Sequence, residues 1–233
     1  AIAVIAILAS ILLVATQRVR SSMQLTQSVS NLRSLMSAMQ LYVSDNNGRL
    51  PGNGNLSAES LRYPIWDMAL LPYLDANQQA LEELPTRSFR QISITDPKYS
   101  SLLSTFYSEA DDVPRAQTDA HPRSYALRAW VCSNNGSFFP NLSSNQRVPV
   151  NIIENPARAS VLVECFRESN LVGGGNFYRQ NVPSEESLTA GDSGWLHRGA
   201  TAIAFLDGHV AVYDGEDLFP FEDQTSIYWP KSN

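Results

Sequence analysis

The first 47 residues of this 233-residue chain contain no proline and no glycine, so nothing in them breaks a helix before Gly48. Cysteine is almost absent: Cys132 and Cys165 are the only two, which excludes a disulfide-framed small domain. Basic residues are few, 17 Lys and Arg scattered against 23 Asp and Glu, and the net charge is −6. That distribution lacks a phosphate-binding footprint and argues against nucleic acid as a partner of the globular part. Gly-x-Ser-x-Gly, HExxH and Cys-x-x-Cys patterns are all missing. Gly173-Gly174-Gly175 has neither the spacing nor the following helix of a phosphate cradle.

The unbroken N-terminal run has two characters. Ala1–Ala15 is apolar except for Ser10. From Thr16 the pattern becomes amphipathic, with Leu25, Val29, Leu32, Met36, Met39 and Val43 at helical spacings. The prediction is one stalk helix over residues 1–47, roughly 70 Å long at the α-helical rise, capped at Gly48 and kept from resuming by Pro51. Residues 1–16 form a lipid-compatible or self-packing half, with Ile2, Ile5, Leu8 and Leu12 against neighbouring helices. Residues 17–47 lay an apolar stripe (Leu25, Val29, Leu32, Met36, Met39) on a sheet. The apolar stretch falls short of the ~20 residues of a full membrane span. It also begins abruptly and lacks the basic n-region of a signal peptide, which predicts that further residues precede it.

Residues 48–233 form the expected globular head, large enough for one ordinary core. Its first half reads as short helices around Trp66, Leu70, Leu71 and Leu74, after Asp75, and over Asp96–Ala110, then a mobile acidic loop over Asp111–Pro122. Five segments alternate with strand period: Tyr125–Val131, Val148–Ile153, Ala159–Phe166, Thr201–Leu206 and His209–Asp214. Asp207-Gly208 predicts a type I′ hairpin with Phe205 opposite Val210 and Ile203 opposite Val212, all on the face that receives the stalk. Alternation places Glu164 and Arg128 outward and Cys165 inward. Cys132 shares the Arg128 face, so face parity disfavours a Cys132–Cys165 bridge. The fold class is α+β.

Two groups could carry chemistry. His197, Asp207 and His209 could be a dyad or metal ligands, but the turn itself requires Asp207, and a structural role for His197 on a backbone carbonyl or on the turn is the stronger reading. Asp214, Glu216 and Asp217, followed by Glu222 and Asp223, could supply the hard oxygen ligands that calcium takes; no other cofactor is expected.

His197 followed after nine residues by Asp207-Gly208 resembles the H-X9-DG signature of prepilin-type proteins abundant in planctomycetes and verrucomicrobia. The likeness extends in order through Asn31–Leu35, Tyr42–Pro51, Leu70–Leu74, Arg123–Ala126, Asn155–Ala159 and Ala204–Val210, and Ala1–Ala15 resembles the later part of a type IV pilin helix. One departure is the absence of the family's mid-chain Cys-Pro near Phe89–Gln91. The resemblance implies a pilin-like fold with a long N-terminal helix on an antiparallel sheet, and a precursor that is cleaved and N-methylated. It implies no enzyme, with His197, Asp207 and Gly208 structural. It further implies a subunit held in the inner membrane by a single pass, then built by type IV pilus or type II secretion machinery into a homo-oligomeric helical filament in the periplasm or at the cell surface. Related pseudopilins use calcium in a C-terminal loop. The alternative reading is a membrane-anchored extracytoplasmic module whose Arg167–Leu196 loop binds a polysaccharide or other secreted ligand.

Overall fold

The computed structural model describes residues 2–51, 65–74, 103–115, 121–132, 139, 142, 147–166, 170–172, 197 and 200–214. Helix α1 runs unbroken from Ile2 to Asp45. Its end is a Schellman closure: Asn47 takes the left-handed conformation (φ 56°), and the Gly48 amide reaches back to the Val43 carbonyl at 2.9 Å. Gly48 also has positive φ, so the cap expected at Gly48 is shared with the asparagine before it. Leu50 and Val150 then exchange backbone hydrogen bonds with Val148 and Gly48, which ties the end of the stalk into the head.

Beyond α1 come the short helix α2 (Trp66–Leu70) with a 3-10 turn at Leu71–Tyr73, strand β1 (Tyr125–Leu127), helix α3 (Ala129–Cys132), a 3-10 turn at Val150–Ile152, and strands β2 (Ser160–Glu164), β3 (Ala200–Phe205) and β4 (Val210–Asp214). The strands form one antiparallel sheet in the order β1-β2-β3-β4. A long N-terminal helix on a four-stranded antiparallel sheet is an α+β arrangement. The predicted helix after Asp75 lies outside the described residues.

The C-terminal half of α1 lies across β3 and β4 and against α2. Leu32, Met36 and Met39 are fully buried there, Leu25 and Val29 are partly buried against the same cluster, and Ser28, Leu35, Ala38 and Tyr42 widen the stripe. The sheet meets the helix with small side chains, Ala202 and Ala204. Ile203 and Phe205 point to the opposite face and form a second cluster with Ala126, Val163, Cys165 and Phe166. Both sheet faces are therefore covered, and β2 is buried along its whole length.

Four expectations are corrected. The hairpin is not type I′: the Gly208 amide donates to the Phe205 carbonyl (2.9 Å) and the Phe205 amide to the His209 carbonyl (3.0 Å), so Gly208 and His209 together oppose Phe205. Gly208 has φ 95° and Asp207 does not have positive φ, the signature of a three-residue loop with a glycine bulge. The extra residue slips the register by one, pairing Ala204 with Val210 and Ala202 with Val212, and this removes Ile203 and Phe205 from the helix platform. The first predicted strand stops at Leu127. The Arg128 amide bonds the Val161 carbonyl, and the chain then coils so that the Trp130 indole can donate to the Ser160 carbonyl at 2.7 Å. Val148–Ile153, expected as a strand, holds the 3-10 turn Val150–Ile152 and an isolated bridge between Pro149 and Arg49, because proline has no amide to continue a ladder. Finally, Glu164 and Arg128, expected on the outer face, are buried, and so is Asp111, expected at the start of a mobile acidic loop.

Candidate functional site

Two regions stand out: the exposed half of the stalk and a buried polar centre at the sheet. From Ile2 to Arg20 every α1 residue is exposed. Ile2, Ile5, Leu8 and Leu12 project fully, Leu8 being 61% accessible. Among the described residues these four have no packing partner within the chain. By length and composition this helix is apolar enough to cross a membrane. The two hydroxyls of its exposed half, residues 2–20, are satisfied internally, Ser10 Oγ donating to the Ile7 carbonyl (2.7 Å) and Thr16 Oγ1 to the Leu13 carbonyl (2.8 Å). Neither therefore leaves a bare donor facing an apolar surrounding.

Below Arg20 the helix is bolted to the head by polar contacts. Gln24 Nε2 donates to the Glu109 carbonyl (3.0 Å), Ser28 meets Ser108 Oγ to Oγ (2.8 Å), and Asn31 Nδ2 reaches the Tyr107 carbonyl and the Tyr125 hydroxyl. Burial, with the Glu164 charge nearby, pushes the Tyr125 phenol well above its ordinary pKa, so it acts only as a neutral hydrogen-bonding group.

Glu164 is the centre of the buried polar site. At the point where β2 leaves β3, its carboxylate takes over from the backbone: Oε2 accepts from the Ala202 amide (2.8 Å) and the Thr201 hydroxyl (3.1 Å), and Oε1 accepts from His197 Nε2 (2.8 Å). His197 sits at φ 46°, a left-handed conformation rare for a non-glycine residue, and its buried Nδ1 has no hydrogen-bond partner among the described residues. Its ring meets the edge of Phe166 at 6.3 Å. Glu164 stands between the imidazole and the Thr201 hydroxyl, and the His197 and Glu164 side chains are both closed to solvent. This geometry fastens the entry of β3 to β2; it does not aim an imidazole at a nucleophile.

His197 and Asp207, linked by the sequence motif, are not brought together. His197 is tied to Glu164, not to a backbone carbonyl or the turn. Asp207 instead accepts from the His209 amide (3.1 Å) and pairs with His209 Nδ1 (2.6 Å), while His209 stacks on Phe205 at 4.4 Å. Gln40 of α1 donates to the Asp207 carbonyl at 3.0 Å and lies directly over Gly208, where a Cβ would come within 2.5 Å of its amide nitrogen. Gly208 thus serves both the left-handed turn and the close approach of the stalk.

Two further ion pairs lock the head. Arg123 pairs with Asp67 and donates through Nε to Asn170 Oδ1 (2.8 Å), its guanidinium 5.2 Å from the Trp66 ring centre. Arg115 pairs with Asp111, which also accepts from Ser124 Oγ (2.6 Å), so the first part of the acidic loop is anchored. The one sequence sign of Glu164 was a lone acid inside an otherwise apolar strand, Ser160–Phe166; Gln40 and Asp67 carried no sign. Cys165 is buried in the outer sheet cluster, and the side chain of Cys132 lies outside the described residues, as do the Asp214 side chain, Glu216 and Asp217. Among the described residues no three His, Cys, Asp or Glu gather as metal ligands.

No protein-family model, no curated protein and no solved structure matches the chain.

Proposed function

We propose that this chain is a structural subunit of a filament of the type IV pilus or type II secretion pseudopilus kind. The observation that carries the reading is the division of α1. One half packs a buried stripe on the head's core, and the other is an apolar surface against which no described residue of its own chain lies. In this reading the exposed half waits in the inner membrane and is then transferred into a bundle of neighbouring helices. One apolar surrounding replaces another, so the transfer has little hydrophobic cost. Ile2, Ile5, Leu8 and Leu12 meet other copies, the head faces outward, and the protein works by polymerising and not by catalysis. Asp214, Glu216 and Asp217 remain the candidate calcium ligands of such a head.

The test is electron microscopy of the native assembly together with Leu8→Asp. Wild-type chain is expected in fibres with a helical core. Leu8→Asp is expected to abolish fibres while the head stays folded, since a charge in that dry bundle has no fixed partner. Membrane-bound particles without fibres would favour the anchored binding module instead. Normal incorporation of Leu8→Asp would overturn the filament reading.

A further inference from the structure

Between Ile2 and Ser44 the stalk contains no acidic residue, but it carries Arg18, Arg20 and Arg33. Arg18 and Arg20 follow shortly after the apolar run, are exposed, and form no ion pair among the described residues. One turn further along, where the stalk enters the head, Gln24 holds the Glu109 backbone. The side chains of Glu109 and Asp112 project outward from that shoulder and likewise have no ion pair among the described residues. Two cations and two anions without an ion pair among the described residues thus flank the entry of the stalk, with Arg18 and Arg20 about 6–9 Å along the helix axis from Gln24, which holds the Glu109 backbone.

We propose that Arg18 and Arg20 of one copy dock on the Glu109–Asp112 shoulder of a second copy of this chain, an inference that rests on the self-association part of the function proposed above. Parallel stalks packed through their apolar halves approach to about 8–10 Å. Such packing crowds the arginines of neighbouring copies together at the edge of a dry seam, where like charges repel. The stalk has no acid of its own to relieve this. The shoulder supplies the only exposed carboxylates described at that level, and a stagger of one to two turns sets the arginines of one copy beside them. The contact gives an otherwise featureless apolar bundle a defined axial offset, because sliding by a further turn separates every pair at once.

The experiment has two readouts in cells producing full-length chain. The first is the yield of sheared, sedimented filaments. Arg18→Glu with Arg20→Glu, and separately Glu109→Arg with Asp112→Arg, are each expected to lower yield by about tenfold or more. Co-producing the two variants is expected to restore it, because each reversed stalk then meets a reversed shoulder. The second readout is disulfide cross-linking in the membrane between an Arg20→Cys copy and a differently tagged Glu109→Cys copy, which is expected to give a mixed dimer. Rescue only when all four reversals are in one chain would assign the pairing to a single copy and overturn the proposal. Loss of assembly from the arginine reversals alone would assign the arginines to anionic lipid and also overturn it. If the two cysteine-bearing copies gave the mixed dimer while wild-type chain formed no fibres, the contact would stand and the filament reading would fall. Fibres without cross-link or rescue would retire the contact and leave the filament.

Discussion

Replacing Glu164 tests the polar centre of the sheet most directly. Its carboxylate accepts from the Ala202 amide and His197 Nε2 at 2.8 Å each, and from the Thr201 hydroxyl at 3.1 Å, all in a site closed to solvent. Glu164→Leu keeps most of the volume but deprives three buried donors of their acceptor. The Thr201 hydroxyl can rotate toward another oxygen, whereas the amide and the imidazole are held by the backbone. Two stranded donors at about 1–3 kcal/mol each, plus the lost charge-assisted bonds, put the cost at about 3–5 kcal/mol. That is a large share of the 5–15 kcal/mol typical of a folded domain. Glu164→Gln should cost less, about 1–3 kcal/mol. Its carbonyl can still serve the Ala202 amide while its NH2 faces His197, whose proton must then move to the unpartnered Nδ1. The assay is urea unfolding of the chain in mild detergent, followed by fluorescence of the buried Trp66 and Trp130. His197→Leu added to Glu164→Leu should cost less than the sum of the two single changes, because one stranded donor is then gone. A Glu164→Leu protein within about 0.5 kcal/mol of wild type would refute the reasoning, since donors in a dry site cannot lose their acceptor that cheaply.

Three further outcomes follow from other parts of the molecule. Met36→Asp should unfold the head, because it places an unpaired charge where the stalk is fully buried against the core; circular dichroism and near-ultraviolet spectra read this. Gly208→Ala should cost about 1–2 kcal/mol, partly from φ 95° and partly by displacing Gln40, so the penalty should shrink measurably in a Gln40→Ala background. Burial lowers the pKa of His121 below its ordinary 6.5, so the unfolded chain binds the extra proton first. The contribution of His121 to stability is therefore fully present above pH 6.5 and is lost as pH falls from that value through the lower folded-state pKa, and His121→Gln should flatten that part of the stability–pH curve.

The stalk was legible because its signal is redundant: no breaker for 47 residues, a continuous apolar run, then a stripe at helical spacing that coincides with the buried positions Leu32, Met36 and Met39. Three of the five predicted strands form β2, β3 and β4 with ends displaced by a residue or so, and a fourth survives as the short β1. The assignments that fail are the outward-facing ones, Glu164 and Arg128, and the hairpin face given to Ile203 and Phe205. Period-two reasoning assumes one wet face, and here both faces are covered, so alternation points Glu164 outward although it is 2% accessible. The hairpin failed for a related reason. Asp-Gly serves either a two-residue loop or a type I turn closed by a glycine bulge, and only the pairing of Phe205 with both Gly208 and His209 distinguishes them. The Asp67–Arg123 pair joins residues 56 positions apart, a separation that leaves no local pattern to read.

The bulge at Gly208 also accounts for how one helix serves two surroundings. Had the hairpin closed in two residues with Phe205 opposite Val210, the large side chains Ile203 and Phe205 would have faced the stalk and held it away from the sheet. The slipped register turns Ala202 and Ala204 toward it instead, and the stalk approaches closely enough for Gln40 to bond the Asp207 carbonyl and cover the glycine. Close approach gives Leu32, Leu35, Met36 and Met39 a fully enclosed seat, so the lower stalk is held by dense packing and not by its own helix propensity. A helix nucleated and anchored at that end extends upward without needing contacts of its own, because the first formed turns have already met the nucleation cost. The upper half can therefore remain a bare apolar rod, available to lipid or to other helices, with no change in the head that carries it.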